Sequence, residues 1–191
     1  MATNSVAEDR GRDVALLLIG YDRELVESFE LDGRLPAKAI RYFQGGHDSQ
    51  GEEQAPLDLE GIDVWIDEIR EEVDAVAISA YFSPLNPAHE QAAARAVRER
   101  CGHPVVLGHE LSTKLDSVKR AATACLNASL VAVMQEFVRA VHLALRQHGI
   151  GAPLMILKGD GSLMPYQQAV DRPVETVVSG PAASAVGGRF L

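Results

Sequence analysis

Cysteine is scarce: the 191 residues hold two, Cys101 and Cys125. Each sits inside an apolar or helical pattern. They offer no disulfide framework, and both thiols are expected as small core residues in a reduced, cytoplasmic setting. Basic clusters are absent too. Lys and Arg number 18 against 27 Asp and Glu, a formal net charge of −9 with the acids spread along the chain. Nucleic acid and membrane surfaces both call for clustered basic residues, so neither is expected as a partner. No apolar run approaches the roughly 18 residues of a membrane span, and no basic-then-apolar signal precedes a cleavage site. Repeats and low-complexity tracts are missing. So are HExxH, paired CxxC, GxSxG and GxxxxGK[ST], which leaves serine-hydrolase, zinc-ribbon and P-loop chemistry without support. Residues 1–12, MATNSVAEDRGR, are polar and expected to be a disordered N-terminal segment.

What remains is a chain with 47% apolar residues, enough for a sizeable core. Residues 14–19 (VALLLI), 75–80 (AVAISA), 104–108 (PVVLG) and 154–157 (LMIL) are short apolar runs that read as buried strands. A half-buried strand is expected over 25–29 and a last strand over 174–178 (VETVV). Between them, residues 45–56 (GGHDSQGEEQAP) form a polar loop. Helical spacing starts at Asp58 and runs through Ile69, and an Ala-rich helix is expected over 88–101. The longest periodic stretch reaches from Leu115 to Leu145 and is stopped by Gly149, Gly151 and Pro153. A helix of about 30 residues spans about 45 Å, so a bend or break near Asn127 and Ser129 is expected, as is a sub-boundary near 111–115. Strands alternating with helices make the fold class α/β, with a mainly parallel sheet flanked by helices.

Such sheets place ligands at the carboxyl ends of their strands. Four loops qualify. In SGPAAS, Ser179, Gly180, Ala182 and Ser184 lie where a Gly-Pro turn would open a helix, with the free amides of residues 182–184 aimed at an anion. A turn built only for geometry explains the same residues. In KGDGS, Lys158 could neutralise a phosphate and Asp160, beside Ser162, could bind Mg2+ or orient water. A hairpin-type Asp-Gly turn is the favoured reading there. The neighbours His89-Glu90 and His109-Glu110, with His47 in the long loop, suit a divalent ion such as Zn2+ or Mn2+. Backbone-bonded histidines and chance surface neighbours compete with that reading.

Several stretches occur in one order: GGHDSQGEEQAPLD, YFSPLNPAHE, VVLGHELS, KRAATACLNASL, APLMILKGDGSLM and PVETVVSGPAAS. Together they resemble the hydantoinase/oxoprolinase family, specifically its A-type, hydantoin-utilisation ATPase subunit, over residues 13–191. The resemblance implies a partial actin/sugar-kinase/Hsp70-like (ribonuclease H-like) fold. It implies ATP and Mg2+ as cofactors, a cyclic amide such as hydantoin or 5-oxoproline as substrate, and a B-type hydantoinase subunit or domain as partner. Activation would proceed by phosphorylation of the ring carbonyl oxygen, chemistry that rests on positioning and charge neutralisation.

One departure matters. The family grips ATP with two Asp-Gly-Gly-Thr-type loops, and no DxGGT occurs here. The chain is therefore expected to be an internal segment of a larger enzyme, inactive toward ATP alone. A non-catalytic scaffold or subunit-association domain is the alternative, and a hydrolase working by metal alone comes last. A homodimer is expected from an uncovered apolar face on Val177, Val178, Val186 and Phe190.

Overall fold

The computed structural model describes residues 11–28 and 35–188. Residues 1–10 of the expected disordered segment, and Phe190, lie outside them. The described residues form two compact units, one from Arg12 to Ser129 and the other from Leu130 to Gly188 together with Gly11. The segment 111–115 lies inside the first unit, and the division falls at 129/130.

The first unit is built on β1 (Val14–Ile19), β2 (Ala37–Phe43), β3 (Ala75–Ala80) and β4 (Val105–Leu107). They form one sheet in the order β2-β1-β3-β4, with every pair parallel. All six residues of β1 and all six of β3 are buried, as expected of strands covered on both faces. Leu16 lies opposite Ile40 on one side and Ala77 on the other. Ala15, Leu17 and Ile19 of β1 pack with Ile62, Trp65 and Ile66 of helix α2 (Leu59–Ile69) and with Ala93, Ala94 and Val97 of α3 (Ala88–Arg100). Each large side chain in this layer contributes about 1.5–3 kcal/mol by leaving water. Asp58 starts α2 by accepting a bond from the Gly61 amide, the capping role that makes a helix begin there.

One expectation fails near the start of this unit. The strand over 25–29 is instead part of helix α1 (Arg23–Ser28), and Phe29 lies outside the described residues. The Asp22 carboxylate accepts from the Glu24 amide and its carbonyl from the Val26 amide, so an N-cap overrides the apolar alternation. The sequence reading also placed no strand where β2 runs. That edge strand is only partly buried, and its alternation of Ala39, Arg41 and Phe43 is diluted by charge.

After the short α4 (Gly108–Leu111), α5 runs unbroken from Ser117 to Gln147, without the expected interruption near Asn127 and Ser129. Both of those polar residues are buried. The length and composition of α5 would suffice to cross a membrane, and 33% of its apolar stretch is buried within the chain.

The second unit holds the antiparallel pair β5 (Met155–Leu157) and β6 (Leu163–Pro165), then α6 (Tyr166–Asp171) and α7 (Ser179–Gly187). Its core is Met134, Val138, Met164 and Ala169, with Leu154, Ile156 and Tyr166 packed against it. β5 is partly exposed rather than buried. The strand expected over 174–178 is absent. Pro173–Thr176 is a 3-10 turn, Val177 is extended, and Val178 is left-handed at φ 58°. Pro173 has no N–H to give a ladder, and the Thr176 hydroxyl closes the turn onto the Pro173 carbonyl at 2.7 Å.

Candidate functional site

All four parallel strands deliver their following loops to one edge of the sheet. The chain moves outward from β1 to β2, then returns past β1 to β3, so its direction reverses between β1 and β3. The carboxyl ends flanking such a reversal are where open α/β sheets bind ligands.

Glu90, in the first turn of α3 and fully buried, organises this edge. Its Oε1 accepts the Ala80 amide at 2.8 Å, and its Oε2 accepts both the backbone N–H and the Nδ1–H of His109, at 3.0 and 2.5 Å. One carboxylate thus ties the ends of β3 and β4 to the start of α3. It also fixes the His109 tautomer when the ring is neutral. The Glu90 bond holds the His109 pKa above the ordinary imidazole range, against the opposing effect of burial. Gly108 is required beside this pair, because a Cβ there would stand 2.9 Å from the Ser79 hydroxyl and 3.3 Å from Glu90 Oε1.

Two residues that sequence reading missed complete the edge. Arg120, 1% exposed, donates to the Ala80 carbonyl at 3.0 Å and to the Lys114 carbonyl at 2.8 Å. Its signal was an arginine on the apolar stripe of α5, beside Ala121 and Ala124. The Tyr21 hydroxyl donates to the Ser117 carbonyl and accepts from Ser79, both at 2.8 Å. Burial pushes the Tyr21 pKa up to about 12, so it stays a neutral phenol.

His89 and His47 form a separate pair. The Gly46 amide donates to His89 Nδ1 at 2.8 Å, so the proton sits on Nε2, which faces Glu53 Oε1 at 3.0 Å. The His47 ring lies against His89 with centroids 4.3 Å apart. Burial, then the neighbouring His89, holds the His47 pKa low. The Asp48 carboxylate caps its own loop through the Gln50 and Glu52 amides.

Among the described residues no shared metal site is seen, and both His89 nitrogens are hydrogen-bonded, to the Gly46 amide and to Glu53. Among the described residues no group of three or more His, Cys, Asp or Glu side chains is placed to hold a metal. The sequence neighbours His89-Glu90 and His109-Glu110 are not the working pairs either, since Glu90 serves His109 across 19 positions.

The second unit brings the other two candidate loops together. KGDGS is a hairpin turn between β5 and β6, closed by the Lys158 amide on the Ser162 carbonyl at 2.8 Å. Asp160 Oδ1 accepts from the amide and hydroxyl of Ser162, which holds its pKa low. The Gly159 amide donates to the Glu175 carbonyl at 2.8 Å, and a Cβ at Gly159 would stand 2.3 Å from the Val177 carbonyl oxygen. A Cβ at Gly161 would stand 3.0 Å from Val186 of α7. The turn therefore lies directly against the segment that leads SGPA into its helix. Lys158 is engaged by Glu175 at 2.9 Å and Asp160 at 3.4 Å, so its charge is already neutralised. The helix begins at Ser179, two residues earlier than the Gly-Pro turn suggested. The Ala182 amide is consequently inside it, bonded to the Val178 carbonyl at 3.3 Å, and is not a free anion donor. Ser184 turns its hydroxyl back to the Gly180 carbonyl at 3.3 Å.

The hydantoinase/oxoprolinase N-terminal region matches residues 1–101, and the hydantoinase/oxoprolinase domain matches residues 120–190. The chain belongs to the hydantoinase/oxoprolinase family. Caprolactamase subunit alpha of Pseudomonas jessenii is 34% identical over 156 residues, covering 81% of this chain and 22% of that protein. Acetophenone carboxylase gamma subunit of Aromatoleum aromaticum is 31% identical over 152 residues, covering 75% and 20%. Among solved structures, the ATP-dependent caprolactamase of P. jessenii superposes with a TM-score of 0.81 at 30% identity, over 96% of this chain and 29% of that one. Nucleotide-free acetone carboxylase gives 0.78 at 16% identity, over 99% and 30%, a likeness of fold alone. The chain thus spans about a fifth of the length of the curated relatives it matches. It shares with both structures the α/β class, a parallel sheet flanked by helices, of the actin/sugar-kinase/Hsp70-like kind that the family resemblance implied.

Proposed function

We propose that this chain serves as the central α/β segment of an ATP-dependent enzyme that hydrolyses cyclic amides of the hydantoin or 5-oxoproline type. The carrying observation is the match to caprolactamase, at 34% sequence identity and a TM-score of 0.81, across both compact units. In this reading the terminal phosphoryl group of ATP, its charge neutralised by Mg2+, would pass to the ring carbonyl oxygen, leaving ADP, and so open the carbonyl carbon to water. Nucleotide and ion are held by parts of the enzyme other than these residues. The chain contributes a rigid carboxyl edge, in which Glu90 holds His109 and Arg120 holds the end of β3. Its partner in the assembly is a B-type hydantoinase subunit or domain, the setting is the cytoplasm, and the chain alone pairs as a homodimer. Exposure of Val178 and Val186 supports the last point.

A second reading, a non-catalytic scaffold or subunit-association domain, is favoured by one observation. Lys158, His89 and the Nδ1 of His109 are all engaged within the chain. Exchanging the matching segment of P. jessenii caprolactamase subunit alpha for residues 13–191 separates the two. An exchanged protein that folds and releases ADP when a cyclic amide is added supports the enzyme segment. One that folds and assembles but releases none supports the scaffold.

A further inference from the structure

The hairpin of β5 and β6 carries an edge that the second unit leaves open. The Lys158 amide donates to the Ser162 carbonyl at 2.8 Å and the Tyr166 amide to the Leu154 carbonyl at 3.3 Å. In the register of the hairpin the bonded pairs therefore fall on even-numbered residues, Ile156 opposite Met164 among them. The amides and carbonyls of Met155 and Leu157 point the other way, off the outer side of β5. Among the described residues no third strand lies on that side. The backbone sets both limits of the open stretch. Pro153 has no N–H to give, and the Gly159 amide already bonds the Glu175 carbonyl at 2.8 Å.

Side chains alternate along the same strand. Leu154 and Ile156 pack onto the core of the second unit, which turns Met155 and Leu157 outward beside Pro165 and Leu163 of β6. Met155 is 44% and Leu163 61% exposed, and none of these outward side chains is charged. Strand edges are ordinarily blunted by proline or charge. The outer side of β6 has Pro165, whereas the open stretch of β5 has neither. That stretch is also its own complement. In an antiparallel pair centred on Ile156, Met155 of each copy lies opposite Leu157 of the other, and each such pair can exchange both of its hydrogen bonds. The next bonded position would set Pro153 against Gly159, where neither amide is available, so the ladder closes where the open stretch ends. We propose that a second copy of this chain docks on the β5 edge in this register, joining the hairpins into one sheet of order β6-β5-β5-β6. A ladder this short buries less than the roughly 800 Å2 per partner of a stable complex. Exposed Leu163 beside it, and Val186 against the turn at Gly161, extend the apolar surface. The proposal gives a surface to the homodimer inferred above and rests on that part of the reading, while the cyclic-amide chemistry has no bearing on it.

The test follows the 191-residue chain by size exclusion with light scattering and by amide hydrogen exchange. The unaltered chain is expected at twice its own mass, with the Met155 and Leu157 amides protected when concentrated and exchanging on dilution. Two variants charge the edge, Met155→Lys with Leu157→Lys and Met155→Glu with Leu157→Glu. Each sets like charges opposite one another and should weaken self-association about tenfold or more, the worth of one buried apolar side chain. Both positions face outward, so unchanged exchange at the core residues Val138 and Met164 will show that the variants are folded. Mixed in equal amounts, the two variants should regain the dimer, because the charges that meet are then of opposite sign. A dimer of undiminished strength in both variants would leave the homodimer standing and overturn its placement on β5. A monomer at every concentration would overturn both. A mixture that fails to pair would overturn the second copy as the occupant of this edge, and so would protection of both amides within a monomeric chain.

Discussion

Glu90 shows how one buried carboxylate can define an edge. Three N–H groups converge on it from β3 and from the segment after β4, and nothing of solvent reaches it. Glu90→Ala would strand those donors, and we expect a loss of about 3–5 kcal/mol in urea unfolding, as for a buried charge pair broken on one side. Glu90→Gln should be milder and should move His109. Because the folded pKa of His109 is raised, its contribution to stability is full below the ordinary imidazole value of about 6.5 and is lost as pH rises through the folded value. A 15N titration of His109 checks this: the pKa should fall in Glu90→Gln, and an unchanged value would contradict the assigned pairing. The sequence drew attention to His89, His109 and Glu90 but not to their connections. Adjacency along the chain suggested His-Glu neighbours, whereas the helix start at α3 turns Glu90 away from His89 and toward β4. Arg120 and Tyr21 escaped notice because each reads as an ordinary helix or loop residue until its carbonyl partners are in place.

At the scale of elements, legibility followed burial. β1, β3, α2 and α3 are buried runs or strongly periodic helices, and their bounds were nearly readable from the residues. β2 is a half-exposed edge, α1 depends on the Asp22 cap, and the 3-10 turn at Pro173–Thr176 depends on a hydroxyl and on proline's missing N–H. Local chemistry decided each of those against the apolar pattern. The turn between β5 and β6 was readable as an Asp-Gly hairpin, but its contact with the segment before α7 was not. Gly159→Ala tests that contact. Its Cβ would meet the Val177 carbonyl, a backbone atom that cannot swing aside, and we expect a cost of about 1–3 kcal/mol. Thermal unfolding and the 15N shifts of residues 174–180 should both change. A neutral substitution would show that the turn and the segment before α7 do not touch.

For the molecule as a whole, the family was legible from the joint order of short motifs, and the α/β class from strands alternating with helices. What the motifs could not convey was that Lys158 and the Ala182 amide are already satisfied. Lys158 answers to Glu175 and Asp160, and the Ala182 amide answers to Val178. Positioned donors supply most of the grip and rate in phosphoryl transfer, so calorimetric titration of the chain with ATP and Mg2+ should detect no binding in the micromolar range. Micromolar affinity would mean that the second unit rearranges to free those groups.

The proposed role is that of a segment working inside an ATP-coupled amide-opening enzyme. The most direct test measures inorganic phosphate and ring-opened product together, in P. jessenii caprolactamase subunit alpha carrying residues 13–191 of this chain in place of its own matching segment, assembled with its partner. Both products are expected only when ATP and the cyclic amide are present together, rising in proportion. Ring opening without ATP, or phosphate release indifferent to the amide in a folded and assembled enzyme, would contradict it.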